Sequence, residues 1–255
     1  MTKKEILQIL NLIGFIATVI VNFLAVLLPI GLGTTQELSD AIPNLFVPAG
    51  ITFSIWSVIY IFLGLFSIYQ IRDIFKSDKI EMKYLDNIGY FFIIGSLANV
   101  IWIIVWHYKL VPLSLIFMII LLISLLFIYT RLNIGKSDIS KIEKVAVHIP
   151  FSIYLGWITV ATIANVTAVL VVLGVNSFGL LAELLTILVI IVAVLITFTI
   201  LILRKDYAYS FVVVWALLGI LIKQLNSNLT IAITALISGV LILVGIVYII
   251  IRQKK

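Results

Sequence analysis

Long apolar runs, each separated from the next by a short polar segment, constrain the fold of this chain more than any other feature. A helix that spans a membrane needs about 20 apolar residues, and the runs here reach or approach that length. Charged residues make up 11% of the 255 residues, whereas soluble domains average about 25%. We therefore predict an all-α polytopic membrane protein with eight helices. The predicted helices cover approximately residues 6–31, 50–71, 88–107, 112–131, 145–173, 180–203, 207–223 and 229–251.

Basic residues are distributed unevenly between the loops of this predicted topology. On one side of the membrane lie 15 of the 17 lysines and arginines, and only Lys109 and Lys223 fall on the other side. Because positively charged loops stay in the cytoplasm, we predict a multi-pass protein of the cell membrane with both termini cytoplasmic. The same pattern accounts for the formal net charge of +6. Nucleic acid is therefore not an expected partner.

Residues that usually carry metal or acid–base chemistry are scarce. The chain has no cysteine and two histidines, His107 and His148, which excludes thiolate sites and histidine-rich metal centres. The sequence contains no Ser-His-Asp arrangement, phosphate-binding loop or pair of carboxylates with a partner base. Glu183 stands alone near the outer end of the sixth helix, where we interpret it as an interfacial carboxylate. We therefore expect no catalytic residues, no metal and no cofactor, and composition gives no support for an enzyme.

Three predicted helices each carry one stripe of aromatic and polar side chains. Residues at i, i+3 and i+7 share a helix face, and polar groups at membrane depth tend to face the protein interior. If the stripes converge, they form an apolar pocket suited to a flat hydrophobic ligand. Interfacial aromatic belts and amide bonds between helices are the alternative explanation. The stripes are Phe53, Trp56 and Tyr60; Asn99, Trp102 and Trp106; and Tyr154, Trp157, Ala161 and Asn165.

Several other residues have simpler interpretations. Trp106, near a helix end, fits an aromatic belt, Trp215 fits packing, and Asn22 fits a hydrogen bond between helices. The pattern formed by Val244, Tyr248 and Arg252 matches a sterol-contact motif, which is a weak signal and which we interpret as ordinary interfacial anchors.

The longest connection, before the second helix, has an unusual composition for a solvated loop. Residues 33–49 include four large apolar side chains and two prolines, and proline restricts the backbone. We therefore predict that this segment folds over the helices as a lid.

The three stripes lie within longer motifs that are shared with a known family. Its second-helix pattern, P-P-G-W-V-F-G-P-V-W-T-L-L-Y-x-x-M-G, is matched here by Pro48, Gly50, Phe53, Trp56, Tyr60 and Gly64. Its third-helix pattern N-x-x-W is matched by Asn99 and Trp102, and its fifth-helix pattern P-Y-L-A-W-V-x-F-A-x-x-L-N by Tyr154, Leu155, Trp157, Ala161 and Asn165. The chain therefore resembles the TspO/MBR family of tryptophan-rich sensory or translocator proteins over about two thirds of its length.

The chain departs from this family in its motif and in its length. Ala49 and Ile55 replace prolines, Ile51 replaces a tryptophan, and Pro150 lies three residues earlier than the fifth-helix proline. These changes reshape the mouth of the expected pocket. Residues 174–255 add three helices, so the chain resembles a longer, divergent branch of the family.

The resemblance implies a fold, a site and a function. We expect a five-helix TspO-like bundle in residues 1–173 and a three-helix extension in residues 174–255. The bundle would bind a flat hydrophobic ligand, tetrapyrrole-like or lipid, for sensing or transport; a tetrapyrrole would be a ligand and not a cofactor. The implied binding residues are Pro48, Phe53, Trp56, Tyr60, Asn99, Trp102, Tyr154, Trp157, Ala161 and Asn165.

Two other functions stay open at this point. A permease for another small solute would use the added helices, with Glu183 and Lys223 on its pathway. A porphyrin-degrading enzyme would use an aromatic residue such as Trp56 or Trp157 in redox chemistry. The expected partners are the lipid bilayer and a hydrophobic small molecule, and the sequence leaves open whether the chain also forms a homodimer.

Overall fold

Eight long helices run through the chain in the computed structural model, which describes residues 2–28, 33–175 and 179–253. No strand occurs in these three ranges. A 3-10 turn, Gly50–Ser54, leads into the second helix, and a short helix with a π-helical turn, Lys144–His148, leads into the fifth. The helices are α1 (Lys3–Leu27), α2 (Ile55–Gln70), α3 (Phe91–His107), α4 (Val111–Arg131), α5 (Ile149–Val172), α6 (Gly179–Arg204), α7 (Tyr207–Gln224) and α8 (Leu229–Gln253).

The lengths and composition of these helices suit a membrane. Among the described residues, seven helical stretches are long and apolar enough to cross one, and α3 is apolar but shorter, with 17 residues. The predicted fold class is therefore confirmed: the protein is an all-α polytopic membrane protein. The predicted helix bounds agree with the structure to within a few residues, except that α1 ends at Leu27 and the predicted end at residue 31 lies outside the described residues.

Local sequence signals set the ends of several helices. The Thr2 hydroxyl accepts a hydrogen bond from the Glu5 N–H at 3.3 Å, and the Glu5 carboxylate accepts one from the Thr2 N–H at 2.9 Å. This capping box satisfies backbone groups that the first turn leaves free. Lys205, which directly follows α6, adopts a φ of +53°. Glycine or asparagine usually provides this conformation after a helix.

The chain folds as two compact units. Unit 1 contains Met1–Thr35 and Trp56–Leu155, and unit 2 contains Gln36–Ile55 and Gly156–Lys255. These boundaries place the segment before α2 with the last three helices. They therefore differ from the predicted boundary at residue 173, which concerns family relationship and stays a prediction.

Unit 1 is built on close contacts of α3 with α1 and α4. A Cβ atom on Gly14 would lie 2.9 Å from the Ile93 side chain and 3.0 Å from the Ser96 hydroxyl oxygen, so glycine allows α1 to approach α3. The rings of Phe66, Phe92 and Phe151 form an edge-to-face cluster with centroids 5.0–5.7 Å apart.

A buried carboxylate in unit 1 joins α1 to the loop that follows α2. Asp73 has no exposed surface and forms an ion pair with Lys4. It also accepts hydrogen bonds from the Gln8 amide at 2.8 Å and the Ile80 N–H at 2.7 Å. Burial acts to raise the pKa of Asp73, but the hydrogen bonds from these three groups outweigh it and hold the pKa well below its usual value.

Asp73 makes the stability of the protein depend on pH. Because its pKa is lowered in the folded state, its contribution is present above the unfolded pKa of about 4 and is lost as the pH falls through the folded value. Asp73→Asn should destabilise the protein by about 1.5–3 kcal/mol at pH 7, the range for hydrogen bonds to charged groups.

Thermal unfolding in detergent at pH 7, 5, 4 and 3 measures this effect. The gap between Asp73→Asn and the original protein should narrow below pH 4, and a gap that is constant from pH 7 to pH 3 would contradict the assignment. Asp78→Asn, in the same loop and exposed, is the matched control and should change little.

Unit 2 is organised around α7, which contacts α6, α8 and the 3-10 turn Gly50–Ser54. Gly156 of α5 lies against α7, since a Cβ atom there would be 3.1 Å from both the Tyr209 carbonyl oxygen and the Val212 side chain. On α8, Gly245 lies under the Phe198 ring of α6. Glycines therefore allow close helix approach in this unit, as is common in membrane proteins.

Candidate ligand-binding site

The ten predicted binding residues divide equally between the two units. Five lie in unit 1 and five in unit 2, and each unit brings some of its members into contact. Whether all ten converge on one cavity stays a prediction. The unit 1 members are Trp56, Tyr60, Asn99, Trp102 and Tyr154; the unit 2 members are Pro48, Phe53, Trp157, Ala161 and Asn165.

An aromatic cluster joins the second and fifth helices within unit 1. The Trp56 ring stacks on the Tyr60 ring with centroids 5.6 Å apart and meets the Tyr154 ring edge-on at 6.1 Å. Tyr154 is buried, whereas Trp56 and Tyr60 keep part of their surface accessible. The cluster thus presents aromatic surface from two motifs that are about 95 residues apart in sequence.

Asn99 links α3 to α1. Its side-chain oxygen accepts a hydrogen bond from the Asn22 amide at 2.8 Å, so Asn22 does bond between helices as the sequence predicts. Asn99 is fully buried, and its own amide nitrogen has no hydrogen-bond partner among the described residues. A buried donor of this kind needs water or a ligand as its partner.

The two tryptophans of α3 form a second stacked pair. Trp102 and Trp106 have ring centroids 5.5 Å apart and planes within 18°. The Trp106 indole N–H donates to the Thr35 carbonyl oxygen at 3.4 Å, and both rings are buried. Trp106 therefore packs inside the protein, and its interpretation as an exposed belt residue is wrong.

In unit 2, the remaining aromatic members also meet. The Phe53 and Trp157 rings contact edge to face with centroids 6.0 Å apart. Trp157 and Asn165 are buried on α5, and Ala161 lies between them with partial exposure. The second-helix and fifth-helix motifs are thus in contact in this unit as well.

Within unit 2, the segment before α2 is held against α5 and α7 by several polar contacts. The Asn44 amide donates to the Thr167 hydroxyl of α5 at 2.7 Å, and the Gln224 amide of α7 donates to the Leu45 carbonyl oxygen at 2.9 Å. Lys223 pairs with Asp40 at 2.5 Å. The segment is therefore docked and not freely solvated, as the sequence predicts; its role as a lid over a ligand stays a prediction.

Two residues of α7, Trp215 and Gly219, support the motif directly, a role that the sequence pattern did not predict for either. The Trp215 indole N–H donates to the Thr52 carbonyl oxygen at 3.0 Å, and the Ala49 N–H donates to the Gly219 carbonyl oxygen at 2.9 Å. A Cβ atom on Gly219 would lie 1.9 Å from the Thr52 hydroxyl and 2.8 Å from the Pro48 ring. The i, i+4, i+8 spacing of Trp215, Gly219 and Lys223 on one face of α7 was the available signal.

A polar face on α1 is a second feature that the sequence pattern does not make evident. Gln8, Asn11, Thr18 and Asn22 are all buried, and their spacing places them within one narrow arc of the helix. The Gln8 amide bonds to the Gln70 carbonyl oxygen at 2.5 Å, and the Asn11 amide bonds to the Gln70 side-chain oxygen at 3.0 Å.

On this face and on α2, several buried hydrogen-bonding atoms have no partner among the described residues. Within the described part of the chain, no partner is found for the Gln8 and Asn11 side-chain oxygens or for the Thr18 and Ser67 hydroxyls. Buried polar atoms of this kind normally bond to ordered water. Unit 1 therefore offers sites for internal water along α1 besides its aromatic surfaces.

Comparison with known protein families shows to which family the chain belongs. The family described as TSPO-like protein matches residues 8–248. This chain belongs to that TSPO-like family. The resemblance to TspO/MBR proteins is thus confirmed, and the matched region includes α6, α7 and most of α8. Comparison with curated proteins and with solved structures finds no match.

The close packing of Gly219 against Thr52 and Pro48 predicts that this glycine is needed to hold the segment before α2 against α7. Gly219→Ala should push the segment away from α7, because the new methyl group would overlap Thr52 and Pro48. Overpacking typically costs about 1–3 kcal/mol. We expect a lower unfolding temperature and faster proteolysis within residues 36–49.

Gly239→Ala on α8 is the matched control. A Cβ atom there would have its nearest neighbour, the Leu217 side chain, at 4.0 Å. This variant should be neutral or slightly stabilising because alanine favours a helix. Equal behaviour of the two variants would show that close contact at Gly219 does not hold the segment.

Proposed function

We propose that this protein binds a flat hydrophobic ligand, a tetrapyrrole or a lipid of similar shape, in an intramembrane aromatic pocket and acts in sensing or transport. The observation that supports this most directly is the ring cluster of Trp56, Tyr60 and Tyr154. These residues occupy positions of the family motif, and they place partly accessible aromatic faces beside a buried tyrosine. Aromatic faces of this kind favour stacking with a planar ligand.

Two features, each within its own unit, support the same proposal: the contact of Phe53 with Trp157 in unit 2, and the buried amide of Asn99 in unit 1. The first pair supplies further aromatic surface, and the second supplies a donor without a partner in the described ranges. A mainly apolar pocket with few polar groups orients its ligand through those groups. We infer that a ligand carbonyl or carboxylate oxygen would accept from the Asn99 amide.

Substitution of Trp56 tests the proposed binding role. Loss of a buried aromatic ring costs about 3 kcal/mol or more, and each 1.4 kcal/mol corresponds to about a ten-fold change in affinity. Trp56→Ala should therefore weaken porphyrin binding roughly 100-fold. Titration of the purified protein with protoporphyrin, followed by the absorbance of the porphyrin, measures this without depending on tryptophan fluorescence.

Phe23→Ala serves as the control for this experiment. Phe23 belongs to α1, is 61% exposed and makes none of the ring contacts described above. It should leave the affinity unchanged. If folded Trp56→Ala and Phe23→Ala both bind like the original protein, the aromatic cluster is helix packing and not a binding site. Recovery of the porphyrin unchanged after illumination in oxygen separates binding from degradation.

The permease alternative loses support from the contacts of its two key residues. Lys223 is paired with Asp40, and Glu183 accepts a hydrogen bond from the Asn228 amide at 3.0 Å. Both side chains thus hold helix ends and loops together within unit 2. Neither is available as an isolated charge on a solute pathway.

We propose further that the protein lies in the cell membrane with both termini cytoplasmic. The uneven distribution of basic residues supports this orientation. Reporter fusions after Lys83, Lys144, Lys205 and Lys255 should be active in the cytoplasm, and a fusion after Lys109 should be active outside. An exported reporter at Lys255 would overturn the orientation.

A further inference from the structure

A groove between α6 and α8 shares no lining residue with the proposed aromatic pocket. It has a volume of about 510 Å³, which falls in the usual range for ligand sites of about 300–1,000 Å³. All of its residues belong to unit 2. The lining residues are Phe198, Ile202, Lys205, Gly245, Tyr248, Ile249, Arg252 and Gln253.

The walls of the groove are apolar and follow the helix periodicity. Phe198 and Ile202 are one turn apart on α6, and Gly245 and Ile249 are one turn apart on α8. The Phe198 ring lies directly over Gly245, where a Cβ atom would approach it to 2.7 Å. Glycine therefore allows the ring to close this end of the groove while the apolar walls continue toward the helix ends.

The opposite end of the groove is positively charged. Lys205 immediately follows α6, and Arg252 lies in the last turn of α8. Neither side chain has an ion-pair partner in the described ranges 2–28, 33–175 and 179–253. The neighbouring carboxylate, Asp206, accepts a hydrogen bond from the Tyr209 N–H at 3.1 Å and caps α7.

The order of the groups between the two ends corresponds to the parts of a lipid. Gly245 and Arg252 are seven residues apart, which corresponds to about 10 Å along the helix. The Tyr248 side chain lies between them and carries a hydroxyl group. The order along the groove is thus two cations, one hydroxyl and then apolar side chains, which corresponds to the phosphate, ester and acyl-chain regions of a phospholipid.

We propose that this groove is a binding site for an anionic phospholipid. Lys205 and Arg252 contact the phosphate, the Tyr248 hydroxyl donates to an ester carbonyl, and one acyl chain lies on Phe198, Ile202 and Ile249. Basic pockets between membrane helices bind anionic headgroups in this manner. The site is separate from the proposed porphyrin function and does not depend on it.

The test compares an anionic lipid with a neutral lipid of the same chains. Purified full-length protein in detergent is given dioleoyl phosphatidylglycerol or dioleoyl phosphatidylcholine, and native mass spectrometry counts the lipids retained. The original protein should prefer the anionic lipid. Lys205→Asn with Arg252→Gln should reduce that preference about thirty-fold, which is about 2 kcal/mol at about 1 kcal/mol for each cation.

The choice of asparagine separates lipid binding from a structural role. Lys205 has a φ of +53°, which asparagine tolerates better than lysine. The double variant should therefore remain as stable as the original protein in phosphatidylcholine and lose only the extra stability that phosphatidylglycerol provides. Equal destabilisation in both lipids would mean that the two cations only interact with the partial negative charge at the C-terminal ends of the helices. That result would overturn the proposal.

Control substitutions and competitors complete the test. Lys76→Gln with Lys136→Gln removes the same charge from two exposed positions outside the groove and should keep the preference for the anionic lipid.

Inorganic phosphate and glycerol phosphate should not displace phosphatidylglycerol, because they lack acyl chains. Displacement by either would show a simple anion site, and retention of cholesterol in place of phosphatidylglycerol would show a neutral sterol site; each outcome would overturn the proposal.

Discussion

Hydrocarbon provides no hydrogen-bond partners, and this constraint governs how the polar residues of the chain are arranged. The helices satisfy their own backbone groups, so the remaining demand comes from side chains and from the irregular segment before α2. The Asn22 amide donates a hydrogen bond to the Asn99 side-chain oxygen. The side-chain amides of Gln8 and Gln70 each donate to the other's backbone carbonyl oxygen. These contacts satisfy part of that demand, and the atoms that they leave without a partner are the ones that need water or a ligand.

The fold class and the helices were predictable because they depend on local composition. Each apolar run is long enough to identify a helix without knowledge of its neighbours. Contacts such as Trp56 with Tyr154 were also within reach, since each residue belongs to a motif on a helix that the sequence identifies. The capping box of α1 is equally local.

The docking of the segment before α2 was not predictable in the same way. Its partners on α7 include a glycine, and a glycine that works by having no side chain gives no positive signal in one sequence. The sequence around Trp215 indicates only packing, because no stripe accompanies it, whereas the structure shows that its indole N–H donates a hydrogen bond to the Thr52 carbonyl oxygen. The polar face of α1 was missed for a different reason, because its amides and hydroxyls are spread over 15 residues of an otherwise apolar run.

The hydrogen bond between Ala49 and Gly219 joins residues that are 170 positions apart in the chain. At about 5–20 residues per second, a ribosome makes α7 roughly 10–30 seconds after the segment that will dock on it. During that interval the carbonyl oxygens of Leu45 and Thr52 lack the donors that Gln224 and Trp215 of α7 later provide. The segment before α2 is therefore among the first parts of this protein to be synthesised and among the last to reach its final place.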